Sequence, residues 1–318
     1  MSGVTLLLLD AASLYFRAYY GVPESITAPD GTPVNAIRGF LDMTARLIGT
    51  RHPQRLVACL DADWRPAFRV AAIPSYKAHR VAEHGVEAVP PALAAQVPAL
   101  LELLDAVGLA AVGVPGFEAD DVIGTLVAAA SGPVEVVTGD RDLFQVVRDA
   151  QPVRVLYTGR GVARLVEVDE AWLVAKYGLA GDRPGWVGAA YADLAALRGD
   201  PSDGLPGVPG VGEKTAAAVI NRFGSLECAL AALDTGDPGG GAPGGFPPGA
   251  RDRLSRAREY LAVVPAVVRL RRDVPLPDHD AELPTQPRQP SRLAALAERW
   301  GVESSVSRLR EALRVSRR

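Results

Sequence analysis

The sequence predicts an α/β protein with a largely parallel, twisted central sheet, an inserted arch and a second, mainly helical part. Three observations carry this. Short β-type runs alternate with helical patterns through the first half, as in a parallel sheet with crossover helices. Four of those runs end at or just before an acid, and strand patterns nearly vanish after about Gly178.

Val4 to Leu9 is a continuous apolar run of strand length and ends in Asp10. Leu56 to Leu60 is the second strand, ending in Asp61. Ala110 to Val114 is the third and leads through Pro115 and Gly116 to Glu118; Val134 to Val137 is the fourth and leads to Asp140. Ligands of open α/β sheets bind outside the C-terminal strand ends, so these distant acids are expected to converge. The stretch 63–91 is too long and too polar for a simple crossover and reads as a lid or arch, followed by a helix over Ala92 to Val107. A short helix is expected at Leu143 to Val147. Trp186 to Leu197, Lys214 to Phe223, Leu226 to Leu233 and Ala250 to Ala262 follow as helices. Asp234 to Pro248 and Pro275 to Pro290 are Gly/Pro-rich connectors, the first expected to be mobile. The division expected is 1–177 and 178–318.

With 318 residues, 48% apolar and 22% charged, disordered and fibrous classes are excluded. The apolar runs fall far short of the ~20 residues that span a bilayer, and no basic segment precedes the first, so neither a membrane helix nor a signal peptide is expected. Cys59 and Cys228 have no CxxC spacing, which argues against zinc and for a reduced, cytoplasmic setting. A net charge of −3, from 34 basic and 37 acidic residues, leaves a polyanionic partner undecided. Lys77, Lys176 and Lys214 are the only lysines, a scarcity that draws attention to two of them below.

In chain order the acids aimed at the sheet edge are Asp10, Asp61 with Asp63 beside it, Glu118, Asp120, Asp121, Asp140, Asp142, Asp200 and Asp203. So many carboxylates at one edge repel one another unless cations lie between them. Two divalent ions about 4 Å apart around a scissile phosphate are the usual solution, and oxygen-only ligands favour Mg²⁺ or Mn²⁺. Each acid alone also reads as a helix cap or first-turn residue; the coincidence of four strand ends favours the metal reading.

The segment Gly207-Val-Pro-Gly210-Val-Gly212-Glu-Lys214-Thr215 is not a P-loop, because Glu213 separates the last glycine from Lys214, and no strand precedes it as in a dinucleotide fingerprint. It fits a helix-hairpin-helix, whose glycines and helix N-terminus grip a nucleic-acid backbone without reading sequence. Arg65, Arg69, Lys77, His79 and Arg80 form an acid-free basic run on the expected arch, with Phe68 and Tyr76 interleaved. A second basic tract runs from Arg251 to Arg272.

These segments resemble the bacterial 5′-nucleases, meaning the 5′-nuclease domain of DNA polymerase I and its stand-alone and flap-endonuclease relatives. The likeness rests on Leu-Leu-Leu-Asp10 with Arg17-Ala-Tyr-Tyr20, Phe68-Arg69 with Tyr76-Lys77-Ala-His-Arg80, Glu118-Ala-Asp120-Asp121, Thr138-Gly-Asp140-Arg-Asp142-Leu-Phe-Gln145, and Gly199-Asp200-Pro-Ser-Asp203 running on to Thr215. The resemblance implies a PIN-like 5′-nuclease fold and structure-selective 5′-3′ exonuclease and flap-endonuclease activity in replication and repair. It implies that Asp10, Asp61, Glu118, Asp120 and Asp121 hold one metal group and Asp140, Asp142, Asp200 and Asp203 another, as Mg²⁺ or Mn²⁺ with at least two ions. Lys77 and Arg80, on a helix at the arch base, would contact the scissile phosphate. Arg17, Arg69, Tyr76, Gly207, Gly210, Gly212, Lys214 and Thr215 would contact DNA, with K⁺ at the hairpin turn. A stand-alone monomer acting on flaps, nicks, gaps and 5′-ends beside a polymerase and a ligase is expected. One departure is Gly204, where the family usually has Asn; restoring Asn is expected to leave folding intact and to alter the metal-concentration dependence, or to cost a little stability where the glycine supplies a positive-φ backbone.

Two other classes compete. Asp61-Ala-Asp63 and Gly139-Asp140 echo haloacid-dehalogenase-type phosphatases but leave Asp10 and the glycine turn without a role. A non-catalytic DNA-binding protein would not need the converging acids.

Overall fold

The computed structural model describes residues 5–82, 87–235 and 245–315. Its strands are β1 (Leu6–Asp10), β2 (Arg55–Cys59), β3 (Ala110–Val112), β4 (Val134–Thr138), β5 (Val153–Tyr157) and β6 (Val166–Val168), in one sheet of order β3-β2-β1-β4-β5-β6. All neighbours are parallel except β5 and β6. In chain order the helices are α1 (Ala11–Gly21), α2 (Asn35–Arg51), α3 (Ala67–Ala72), α4 (Pro91–Val107), α5 (Ala119–Ala129), α6 (Glu170–Tyr177), α7 (Val187–Arg198), α8 (Glu213–Phe223) and α9 (Leu226–Asp234). They continue as α10 (Ala250–Arg256), α11 (Arg258–Val263), α12 (Pro265–Val268), α13 (Pro290–Trp300) and α14 (Glu303–Val315).

β1 shows why the sequence folds this way. Its leucines alternate across the sheet: Leu6 and Leu8 join the core on one face, Leu7 and Leu9 the core on the other. At ~1.5–3 kcal/mol for each fully buried side chain, such a strand is stable only with helices on both faces. α1, α2, α4, α13 and α14 cover one face, and α5 to α12 the other. α14 packs on α2 and α13 on α4, so the stretch expected as one helical part, 178–318, contributes to both faces.

The four expected strands form, the third ending at Val112, and two more extend the sheet. The helix at Leu143 to Val147 is a 3₁₀ turn over Asp142–Val146, and the helix over Ala250 to Ala262 breaks at Ala257. Residues 83–86 of the expected arch and 236–244 of the Gly/Pro loop lie outside the described residues. The described part of the arch holds α3 and a 3₁₀ turn, Ala78–Arg80. Lys77 precedes that turn with φ 49, so it is not on a helix as expected.

Candidate active site

β1 has β2 on one side and β4 on the other, which makes the C-terminal ends of β1 and β4 a topological switch point. A crevice of about 720 Å³ opens there, lined by Asp10, Asp61, Glu118, Asp120, Asp140 and Asp200, together with Lys77 and Arg80. Asp10 is only 5% exposed. Its Oδ1 accepts from Ser13 N at 3.1 Å and its Oδ2 from Thr138 Oγ1 at 2.6 Å. Thr138 Oγ1 in turn accepts from Asp140 N at 2.8 Å, and Gly139 N donates to Ser13 Oγ at 2.7 Å. Ser13 and Thr138 thereby fix two acids that lie 130 residues apart in sequence. Sequence reasoning gives neither a role, although Thr138 opens the quoted Asp140 motif; their signal is a hydroxyl within three residues of each acid. Asp61 Oδ1 accepts from Ala119 N at 2.7 Å, which ties the end of β2 to the helix that carries Asp120. Asp140 and Asp200 each cap a following turn, at 2.9 Å to Asp142 N and 2.8 Å to Ser202 N.

Burial, then the charge of Asp61, pushes Asp10 up to about 7. Burial, then Asp140, pushes Asp120 and Asp142 well above the usual carboxylate range, and burial raises Asp203. Among the described residues no lysine or arginine pairs with Asp10, Asp61, Asp120, Asp140, Asp142 or Asp200; the nearby cations are engaged with Glu118, Asp121 and Asp203. Oxygen donors without a cation partner, with Asp10, Asp120 and Asp142 desolvated among them, are the chemistry of a hard divalent cation. Among the described residues no three potential ligands close into a ready-made cage. An ion that keeps several waters and takes phosphate oxygens fits such an open set.

Glu118 and Asp121 sit in a different environment. Tyr76 Oη donates to both oxygens of Glu118, at 3.0 and 2.9 Å, and Arg69 Nη1 and Lys77 Nζ pair with it. Burial raises Glu118 to about 6, against the opposing pull of Lys77 and Arg69. Asp121 is fully buried, receives two Arg69 bonds at 2.7 Å and accepts from Arg271 N at 2.9 Å. Its oxygens are spent on this network and it does not line the crevice, which corrects its expected place among the metal ligands. Arg69, 1% exposed, also donates through Nε to Val267 O at 2.9 Å, and Tyr76 is 4% exposed. Neither reaches DNA as expected: a carboxylate pair this deep needs buried donors, and these two supply them.

Lys77 N donates to Asp203 O at 2.9 Å, and Arg80 Nη2 donates to Asp203 Oδ1 at 2.7 Å and to Ser202 O at 2.9 Å. Ser75 Oγ donates to Gly204 O at 2.9 Å. The arch base is thus docked on the 202–204 loop. Gly204 has φ +72, and a Cβ there would lie 2.2 Å from Ser75 O. This is the positive-φ case, in which Asn costs stability, and not the case in which Asn leaves folding intact.

The glycine segment also divides. Gly207 is buried where two backbone stretches cross, and a Cβ on it would lie 2.3 Å from Arg198 O. Its role is close packing, not the expected DNA contact. Gly210, Gly212 and Lys214 are exposed and Thr215 half-buried at the start of α8, which no side chain caps. α7 is the preceding helix, but a 3₁₀ turn over Pro201–Asp203 intervenes. Arg17 packs beneath Gly139, outside the crevice lining, and its Nε is buried without a hydrogen-bond partner among the described residues. Asp63 Oδ1 accepts from Arg65 N in a local turn and does not line the crevice, so the acid pair of the phosphatase reading does not form there.

Two family models match the chain: the 5′-3′ exonuclease N-terminal resolvase-like domain over residues 5–178, and the 5′-3′ exonuclease C-terminal SAM fold over 187–291. A Streptomyces coelicolor protein named 5′-3′ exonuclease is 58% identical over 308 residues, covering 95% of this chain and 98% of that one. A Mycobacterium tuberculosis protein of the same name is 53% identical, covering 97% of each. A Mycobacterium bovis DNA polymerase I is 43% identical over 72% of this chain, which matches 24% of that protein. The fold is that of T5 5′-exonuclease with bound zinc (TM-score 0.62, 17% identity, 98% and 99% of the two chains). It is shared with the catalytic core of Rad2 in complex with DNA (TM-score 0.60, 17% identity, 98% and 93%). Among the described residues no single helix is long and apolar enough to cross a membrane. From its first strand to the start of α13, the chain belongs to the 5′-3′ exonuclease family.

Proposed function

We propose that the protein is a structure-selective, divalent-metal-dependent 5′-nuclease that hydrolyses DNA phosphodiesters at 5′-flaps, nicks, gaps and 5′-ends. The observation that carries this reading is the convergence of Asp10, Asp61, Asp120, Asp140 and Asp200 on the β1/β4 switch point without cationic partners, Asp10 and Asp120 desolvated among them, beside Lys77 and Arg80. Asp10, Asp61, Glu118 and Asp120 would hold one metal group, and Asp140, Asp142, Asp200 and Asp203 the other. Bound Mg²⁺ or Mn²⁺ supplies Lewis-acid polarisation of the phosphate and a more acidic water. Ser13 and Thr138 hold Asp10 and Asp140 in one orientation. Lys77 and Arg80 exchange their carboxylate partners for the scissile phosphate and offset the charge that develops on it. Water attacks in line with the 3′-oxygen, the P–O3′ bond breaks, and the products are a 5′-phosphate and a 3′-hydroxyl. The exposed turn at Gly210 and Gly212, with Lys214 and Thr215, holds duplex phosphates. K⁺ at that turn, a monomeric state, a cytoplasmic setting and work beside a polymerase and a ligase belong to the same proposal.

A 5′-labelled flap digested with Mg²⁺ or Mn²⁺, alongside intact duplex and a small phosphomonoester, tests it. Cuts clustered at the branch support the reading. Cleavage of the monoester alone, or binding without cleavage, rejects it.

A further inference from the structure

Arg141, Tyr157, Arg198 and Glu213 also line the crevice, and sequence reasoning assigns none of them. Arg141 stands between Asp140 and Asp142 in sequence, yet among the described residues it makes no ion pair; it lies beside the Tyr157 hydroxyl. Tyr157 is backed by Phe144, ring centroids 5.3 Å apart. Arg198 closes α7, and its side chain lies beside the Tyr191 hydroxyl, 3.3 Å from Gly199 O and 3.4 Å from the half-exposed Glu213. Lys77 and Arg80, by contrast, are tied closely to Glu118 and Asp203. The backbone of Arg198 packs on Gly207, the first glycine of the turn. Arg198 therefore belongs at once to the acid crevice and to the glycine turn.

We propose that Arg198, with Arg141 beside it, forms a phosphate subsite for the substrate strand between the scissile bond and the duplex phosphate held at α8. A strand cut at β1/β4 and gripped at the glycine turn passes this point, where an acid floor repels it. Guanidinium groups set beside tyrosine hydroxyls, with no carboxylate closer than 3.4 Å among the described residues, supply paired donors that match two phosphate oxygens. The ligand is an internal phosphodiester, not a terminal phosphate. The inference rests on the 5′-nuclease reading.

The test is a methylphosphonate scan of a flap duplex, one linkage neutralised at a time, with binding measured in Ca²⁺ and single-turnover cleavage in Mn²⁺. For the wild type, one internal linkage on the duplex side should weaken binding about fivefold or more. Arg198→Gln should lose a similar factor on the unmodified flap, lower the salt slope by about one, and show less than about a twofold further loss at that linkage. Arg198→Lys should recover part of the affinity, and thermal melts establish that both variants fold. The wild-type scan needs no variant. Wild-type binding and cleavage by Arg198→Gln overturn the subsite, as does an undiminished methylphosphonate effect in it. So does a wild-type loss that follows removal of the 5′-terminal phosphate instead of an internal linkage. A wild-type protein that cuts no flap overturns the 5′-nuclease reading itself.

Discussion

Arg69 and Asp121 form a two-pronged ion pair, each contact 2.7 Å long, with side chains 2% and 0% exposed. The same guanidinium holds Glu118 and the carbonyl of Val267, so one side chain joins α3, α5 and α12 behind the crevice. Arg69→Ala leaves two carboxylates buried without their donor, and urea denaturation should show a loss of about 3–5 kcal/mol. Arg69→Lys should recover little, because an ammonium cannot span three partners in a plane. If Arg69→Ala kept wild-type stability and lost only DNA affinity, Arg69 would be a DNA contact after all.

Gly204 should reject a side chain. Its left-handed backbone and the Ser75 carbonyl beneath it argue that Gly204→Asn and Gly204→Ala each lose at least about 1 kcal/mol. Because that contact seats the arch base, cleavage should slow as well, with Lys77 and Arg80 displaced. Unchanged melting temperatures and rates for both variants would show that the loop moves aside at no cost.

Lys77 carries its own backbone strain at φ 49. Lys77→Gly and Lys77→Ala should lose cleavage alike, by one or more powers of ten, since both remove the ammonium. Lys77→Gly should nonetheless be the more stable of the two by about 1 kcal/mol. Thermal melts and single-turnover rates on the pair separate the two roles; equal stability would place the left-handed conformation outside the native energetics.

Asp10 links stability to pH. Its folded value of about 7 lies above its ordinary 3.8, so the fold prefers the protonated form. The associated stability is complete below the ordinary value and is lost as pH rises through about 7. With divalent ions chelated, the melting temperature of Asp10→Asn relative to wild type should therefore climb between about pH 4 and pH 8. The gain at the upper end should be about 1–4 kcal/mol. A constant difference across that range would contradict the assignment.

Much of this site is legible along the chain because the sheet imposes it. A strand of four leucines ending in Asp10 states both its burial and the place of its charge, and Asp61, Glu118 and Asp140 follow from the same parallel arrangement. β5 and β6 are harder to see: one places Arg154 between two valines and ends in Tyr157, and the other has three residues. The acids of the Glu118 cluster read alike, although Asp120 lines the crevice and Asp121 turns to Arg69, 52 residues away. Which way adjacent helix residues face depends on partners that local spacing does not reveal. Gly207 and Gly210 divide for the same reason: only the crossing with Gly199 shows that one is buried.

The central claim is that the carboxylates at the β1/β4 switch point act in metal-dependent phosphodiester hydrolysis. The most direct measurement is single-turnover cleavage of a 5′-labelled flap in Mg²⁺ and in Mn²⁺ by wild type, Asp10→Ala and Asp140→Ala, with flap binding followed in Ca²⁺. The account predicts a loss of at least about a hundredfold in rate for each variant while binding persists. Near wild-type turnover by either variant in both metals would contradict it.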